Sequence, residues 1–246
     1  FPTKTDSDAP TGNSTARAKV GQATFTQRVR IETVKPNRLK INLDFGKDKL
    51  TIDDGRITGN LTVNWLQGNP GKNLKAEFDL LLSRSETKFD KYPNFVFDNP
   101  FNEFTSEDQR IFEGTTDSEG KATMNFSVGI EGNPPGVLRA TFRGKVFEEG
   151  GNYSLDRFSM PYYPFSTFVG VRVPRGDKYL GMLAINQDHK VEVATVDANG
   201  NPTSVNGVEM SLHKLDWRWW WDSDDINNAE YMQGQLEKTV KTATIK

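Results

Sequence analysis

Leu39-Lys40-Ile41-Asn42-Leu43-Asp44-Phe45 alternates apolar and polar residues without a break. On an extended backbone successive side chains point to opposite faces, so Leu39, Ile41, Leu43 and Phe45 share one side and Lys40, Asn42 and Asp44 the other. A strand buried on one face only belongs to an antiparallel sheet that packs its apolar face on a second layer. The rhythm recurs outward from this stretch. It returns in Leu61, Val63 and Trp65; in Leu74, Ala76, Phe78, Leu80 and Leu82; in Ala122, Met124, Phe126 and Val128; and in Leu138, Ala140 and Phe142. These strands predict an all-β chain of antiparallel β-sandwiches.

Turn chemistry separates the strands. Asp53-Asp54-Gly55, Gly68-Asn69-Pro70-Gly71, Asp117-Ser118-Glu119-Gly120 and Asp197-Ala198-Asn199-Gly200 supply the positive-φ tolerance or the fixed φ that a reversal needs. The stretch Ser83 to Phe112 mixes aromatics, Asp, Asn and Pro with no sustained period, and reads as a long, partly ordered excursion. Pro161 and Pro164 are expected to interrupt strand pairing, which places a domain junction near Pro164. Alternation resumes in Phe168 to Val173, Val191, Val193, Val208, Met210 and Leu212. Upstream, Ala16, Ala18 and Val20, then Phe25, Val29 and Ile31, make too few strands for a core of their own. With 246 residues and domains of about 100 to 150 residues each, the expected division is 1–33, 34–164 and 165–246. The first segment is read as closing strands of a preceding unit or a docked edge, the second as a complete sandwich, and the third as a second, truncated sandwich.

Composition excludes several kinds of function. Thirty-one Lys and Arg against 33 Asp and Glu give a net charge of -2, with the signs interleaved, so no positive field is available for a phosphate backbone. No apolar run approaches the ~20 residues needed to cross a bilayer. The absence of an initiator Met and of a leader or lipidation signal leads us to expect that Phe1 lies inside a longer precursor. The absence of cysteine removes disulfides, thiolate metal sites and a cysteine nucleophile, and two histidines leave little for acid–base work.

Three stretches carry a resemblance. Arg30-Ile31-Glu32-Thr33-Val34-Lys35-Pro36-Asn37-Arg38-Leu39 resembles an interdomain strand-linker-strand of bacterial alpha-2-macroglobulins. Trp65-Leu66-Gln67-Gly68-Asn69-Pro70-Gly71-Lys72-Asn73-Leu74 resembles the Gly-x-Pro turn of their macroglobulin-like domains. Leu212-His213-Lys214-Leu215-Asp216-Trp217-Arg218-Trp219-Trp220-Trp221 is similar to a tryptophan-rich strand end of the family's Bacteroidetes-type members, and Val196 to Pro202 is similar to the first hairpin of such a domain. The resemblance runs from about Arg30 to Trp221. It implies tandem immunoglobulin/fibronectin-like, seven-stranded sandwiches, without enzyme activity or cofactor, from the middle of a protease inhibitor that traps its target after bait cleavage. It further implies neighbouring macroglobulin domains and proteases as partners, and a periplasmic or cell-envelope setting with a lipid anchor on the parent. The family's internal thioester joins a cysteine to a glutamine, so this chain does not contain one, and no bait region is identifiable in it.

The candidate sites are few. Trp217, Trp219, Trp220 and Trp221 beside Asp216, Asp222, Asp224 and Asp225 would make an aromatic platform, either for a neighbouring domain or for a sugar ring. We expect these four tryptophans and Pro164 to be interface positions, with a carbohydrate-binding sandwich from a polysaccharide-degrading system as the alternative. A hydrolase would need carboxylates that meet across a cleft, yet in Asp53-Asp54 and Asp224-Asp225 the acids are adjacent and read as turn residues. Asp197, Asn199 and Asn201 have the oxygen spacing that opens a calcium loop, but Pro202 follows and the twelfth position lacks glutamate, so a hairpin turn is expected. His189 and His213 have no pairing partner in sequence. No catalytic, cofactor or metal site is assigned.

Overall fold

A computed structural model describes residues 12–21, 23–31, 37–102, 104–106, 108–179, 181–215 and 237–245. The chain is built of strands. β1 (Gly12–Val20) and β2 (Ala23–Ile31) form an antiparallel hairpin with Ala18 opposite Phe25. Residues directly opposite share a face, so Ala16, Ala18, Val20, Ala23, Phe25, Gln27 and Val29 line one, mostly apolar, side and Arg17, Lys19, Thr24, Thr26 and Arg28 the other. Every described side chain of this hairpin is exposed, Val20 at 71% and Phe25 at 63%.

The next eight strands enclose the main core. They are β3 (Leu39–Asp44), β4 (Leu50–Thr51), β5 (Ile57–Trp65), β6 (Lys75–Arg84), β7 (Gln109–Thr115), β8 (Lys121–Phe126), β9 (Leu138–Phe147) and β10 (Tyr153–Tyr163). One sheet has the order β3-β5-β8 and the other β4-β10-β9-β6-β7. Burial follows the sequence rhythm: β3 alternates buried and exposed along its whole length, and Ala76, Phe78, Leu80 and Leu82 of β6 are buried. The apolar faces meet around Phe142, whose ring centroid lies 4.7 Å from Phe45 and 5.9 Å from Phe126. Leu61, Val63, Phe78, Leu80, Met124, Leu138 and Val146 fill the same core. A buried Thr116 ties the ends of two loops: its Oγ1 donates to the Gly71 carbonyl at 2.6 Å and accepts the Leu74 amide at 2.9 Å.

Three details differ from expectation. The sandwich has eight strands where the resemblance implies seven; the extra one is the two-residue β4, and its pairing with β10 is parallel, not antiparallel. Pro161 does not break its strand, since β10 runs through it paired with Arg139 of β9. At that residue β10 has a neighbour on one side only, because β4 joins from Tyr162, and an open edge is where a strand tolerates a missing N–H. Residues 85–102 form a loop with buried side chains, and it defines the junction described below.

Beyond Pro164, β11 (Thr167–Arg172) pairs antiparallel with β12 (Glu192–Asp197), and β13 (Val208–Leu215) pairs with β14 (Glu237–Ile245) through a register shift at Leu212 and His213. Among the described residues after Pro164, the buried hydrophobic side chains are Phe168 and Val196.

Candidate functional site: the junction between two sandwich units

The junction begins with a loop fixed at its neck. Thr87 and Asp98, eleven residues apart, are joined by the Thr87 amide, which donates to both Asp98 carboxylate oxygens at 3.2 and 3.1 Å, and by the Thr87 hydroxyl, which donates to Oδ1 at 2.5 Å. The same hydroxyl accepts the Val137 amide at 2.7 Å, and the Asn99 amide donates to the Pro135 carbonyl at 2.6 Å. The loop is thereby closed on itself and tied to the segment leading into β9. A threonine hydroxyl both donates and accepts, which suits it to this three-way contact.

Between those ties the loop carries Phe89, Tyr92, Phe95 and Phe97. Phe89 lies edge-on to Phe97 at 4.8 Å and to Phe168 of β11 at 5.6 Å, while Tyr163 stands 5.7 Å from Phe168. Phe89, Phe97, Val137, Phe168 and Val196 are buried together as a second core. T-shaped pairs at these separations add about 0.5–1.5 kcal/mol each beyond the area they bury. Backbone pairing reinforces the contact. The Val96 and Val171 amides each donate to the other's carbonyl at 2.9 Å, so one residue of the loop joins β11 as an antiparallel bridge. Next to it, Gly170 faces the Phe97 ring so closely that a Cβ there would lie 2.4 Å from Phe97 Cε1.

Polar contacts surround the aromatic centre. The turn after β12 is held by Asp197, whose Oδ1 accepts the Asn199 and Asn201 amides at 2.7 and 2.9 Å, with Gly200 at φ 73° completing the reversal. The Asn201 amide, more than any other contact, holds the Asp197 carboxyl below its ordinary pKa. Lys49 Nζ, at the start of the first sandwich, donates to the Ala198 carbonyl at 2.8 Å and to Asn199 Oδ1 at 2.6 Å, and Lys91 Nζ donates to Asn201 Oδ1 at 2.9 Å. Lys49 also lies 5.0 Å from the Tyr163 ring centre, and Arg172 5.2 Å from that of Phe95, within cation–π range. Burial pushes the Tyr163 phenol pKa up, with Asp48 and Asp90 adding to the effect. Ser166 Oγ donates to Asp53 Oδ1 at 2.9 Å.

The structure places the sequence candidates unevenly. Pro164 is buried at the connection from β10 to β11. Trp217, Trp219, Trp220, Trp221 and the pair Asp224-Asp225 lie outside the described residues. Asp53 and Asp54 sit on a short 3-10 turn, where Asp54 accepts the Thr51 amide at 2.7 Å and pairs with Lys47 at 2.7 Å. Asp197, Asn199 and Asn201 form a hairpin turn whose side-chain oxygens are engaged by its own amides and by lysines. His189 is exposed, its ring 2.7 Å from the Ala184 carbonyl, and the side chain of His213 lies outside the described set. Among the described residues, no three His, Cys, Asp or Glu side chains gather as a metal site, and no helix is long and apolar enough to cross a membrane. The loop aromatics were missed as site residues. Their signal is density: four rings in the nine residues 89–97 are too many for a solvated loop.

Successive antiparallel β-sandwich units joined through a shared aromatic core place the chain in the class of multidomain all-β proteins. Residues 37–164 match the model of the bacterial alpha-2-macroglobulin MG5 domain, and residues 170–246 match that of bacterial macroglobulin domain 6. The chain belongs to the bacterial alpha-2-macroglobulin family. Similar proteins include an alpha-2-macroglobulin homolog of Yersinia pestis, 21% identical over 187 residues, covering 75% of this chain and 9% of that protein. An alpha-2-macroglobulin of Rickettsia conorii is 21% identical over 220 residues, covering 88% of this chain and 11% of that protein. The chain thus spans about a tenth of the length of these relatives. Its fold is similar to that of trypsin-activated alpha-2-macroglobulin from Escherichia coli (TM-score 0.56, 19% identity, 98% of this chain and 16% of that one). It is also similar to Salmonella alpha-2-macroglobulin reacted with methylamine (TM-score 0.51, 20% identity, 97% and 16%).

Proposed function

We propose that this chain supplies non-catalytic framework units of a Bacteroidetes-type bacterial alpha-2-macroglobulin that traps proteases after bait cleavage. In this reading 34–164 is a complete macroglobulin-like sandwich, 165–246 a second, truncated one, and 1–33 the closing strands of a unit before them. The exposed apolar face of β1 and β2, with Val20 and Phe25 uncovered, fits the last role. The partners are neighbouring macroglobulin domains of the parent chain and, through the parent, proteases. The setting is the periplasm or cell envelope, with the parent lipid-anchored.

The observation that carries the proposal is the second core. It buries side chains from two successive units and adds a backbone bridge, as a frame must do to keep its units in one arrangement. Pro164 fixes the connection at that joint, and Trp217, Trp219, Trp220 and Trp221 are further interface positions, large amphipathic rings being favoured where domains meet. The test uses the full-length parent. With Phe97 and Phe168 replaced by Ala, protection of a trapped protease from a large inhibitor should fall, while the wild-type parent retains it. Equal protection by both proteins would refute the framework role of the joint, and tight binding of the present chain to polysaccharide in a pull-down would refute the whole reading.

A further inference from the structure

The two cores are not equivalent. The first sandwich closes on itself: β3, β5 and β8 face β6, β9 and β10, and its core cluster draws on residues between Leu39 and Tyr162. The second unit has a different balance. Among its described residues the buried hydrophobic side chains are Phe168 and Val196, and both are buried in a cluster whose other fully buried members, Phe89, Phe97 and Val137, come from the first unit. The β11–β12 pair is a two-stranded sheet, and an isolated pair of strands is marginal in water. Its remaining large apolar side chains are partly or largely exposed, Val169 at 42% and Val171 and Val193 half-buried.

Among the described residues, β12 is also paired with Pro202 and Thr203 just after its turn, but the burial of Phe168 and Val196 is completed by the first unit. The Val96–Val171 bridge supplies backbone pairing, the loop rings supply burial, and Lys49 and Lys91 hold the turn that β12 enters. The neck of the loop, in contrast, is closed within the first unit by Thr87, Asp98 and Val137, while its rings and Val96 are the part that meets β11. The asymmetry lies in the neck, which needs no residue of the second unit to close.

We infer that the first sandwich is a folding template for the second: the tied loop 85–102 forms with the first unit and then presents the surface on which the β11–β12 pair is ordered. The consequence is a stability hierarchy within one chain, with β11 and β12 opening while the first sandwich stays closed. This inference concerns folding order and stands independently of the protease-trap reading.

Hydrogen exchange on the 246-residue chain tests it. Phe97→Ala and Phe168→Ala should each lower protection of the β11 and β12 amides on the order of 100- to 1,000-fold, the scale set by removing a buried aromatic ring. Protection of β6 and β9 should not change in either variant. Phe97→Leu, which keeps most of the apolar volume, should lose about tenfold or less at the same amides. Unchanged β11–β12 protection in Phe97→Ala would show that the second unit supports itself and would overturn the inference. Loss of β6 and β9 protection in step with β11 and β12 would also overturn it, since the two units would then be one cooperative body.

Discussion

Gly170→Ala sets two effects of opposite sign against each other. Gly170 sits in β11 opposite Ala194 and is not in the left-handed region, so alanine is compatible with its backbone. On propensity alone the exchange should stabilise by about 0.5–1 kcal/mol, because glycine in a strand loses more backbone entropy on folding. Packing opposes this. A Cβ at 170 would lie 2.4, 2.6 and 2.8 Å from Phe97 Cε1, Cζ and Cδ1, an ångström closer than carbon atoms approach at contact. The ring has little room to retreat, since Phe97 is 7% exposed and has Phe89 at 4.8 Å on one side and Tyr92 at 6.1 Å on another. Either the ring turns out of its rotamer or β11 moves away, and the second course stretches the two 2.9 Å bonds between Val96 and Val171 beside it. Overpacking of this kind costs about 1–3 kcal/mol. The net expectation is a destabilisation of up to about 2.5 kcal/mol, centred near 1, once the propensity gain is subtracted. It should appear in urea titrations followed by hydrogen exchange at β11 and β12. Shortening the ring should relieve the clash, so a double-mutant cycle of Gly170→Ala with Phe97→Leu should show a favourable coupling of about 0.5 kcal/mol or more. A stabilised Gly170→Ala, or a cycle with zero coupling, would refute the close approach on which the joint is built.

Three further outcomes follow from the same geometry. Phe142→Ala removes the ring between Phe45 and Phe126 and should lower the stability of the first sandwich by about 3–5 kcal/mol in urea unfolding. Thr116→Val keeps the shape but leaves the Leu74 amide and Gly71 carbonyl without their buried partner, a loss of about 1–3 kcal/mol by the same measurement. The Asp197 carboxyl is depressed in the folded state, so its contribution is complete above the ordinary aspartate range and disappears as pH falls through the folded value. The protection factors of the turn after β12, with the intrinsic slowing of exchange in acid divided out, should therefore fall on acidification below about pH 4, and Asp197→Asn should flatten that dependence. An unchanged profile in the variant would assign the acid sensitivity elsewhere.

The first sandwich was legible because its information is local and periodic. Each residue of Leu39, Ile41 and Leu43 announces its face through its neighbours at i±2, and the structure buries all three. The turn at Asp197 was legible for a similar reason, since its bonds close within four residues. The two-residue β4 was not, because two residues carry no period, and only the parallel alignment of Leu50 with Tyr162 makes them a strand. Pro161 was misread by applying an average rule to a strand that has one open edge at that position.

The junction could not be read in the same way, and the reason is physical. Its core draws Phe89 and Phe97 from a loop, Val137 from the entry to β9, Phe168 from the start of β11 and Val196 from near the end of β12, so no two members are related by a repeating spacing. Periodicity reports a regular backbone that presents one face, whereas this cluster is assembled from the ends of elements, where the backbone is irregular. What the sequence does retain is an imbalance: many rings in a stretch with no regular structure to bury them, and after Pro164 strands with too few strongly apolar positions to bury themselves. Each imbalance alone reads as a weakness of its own unit. Taken together they are complementary, since the surplus of apolar surface in the loop matches the deficit in β11 and β12, and a joint between successive units is the arrangement that satisfies both.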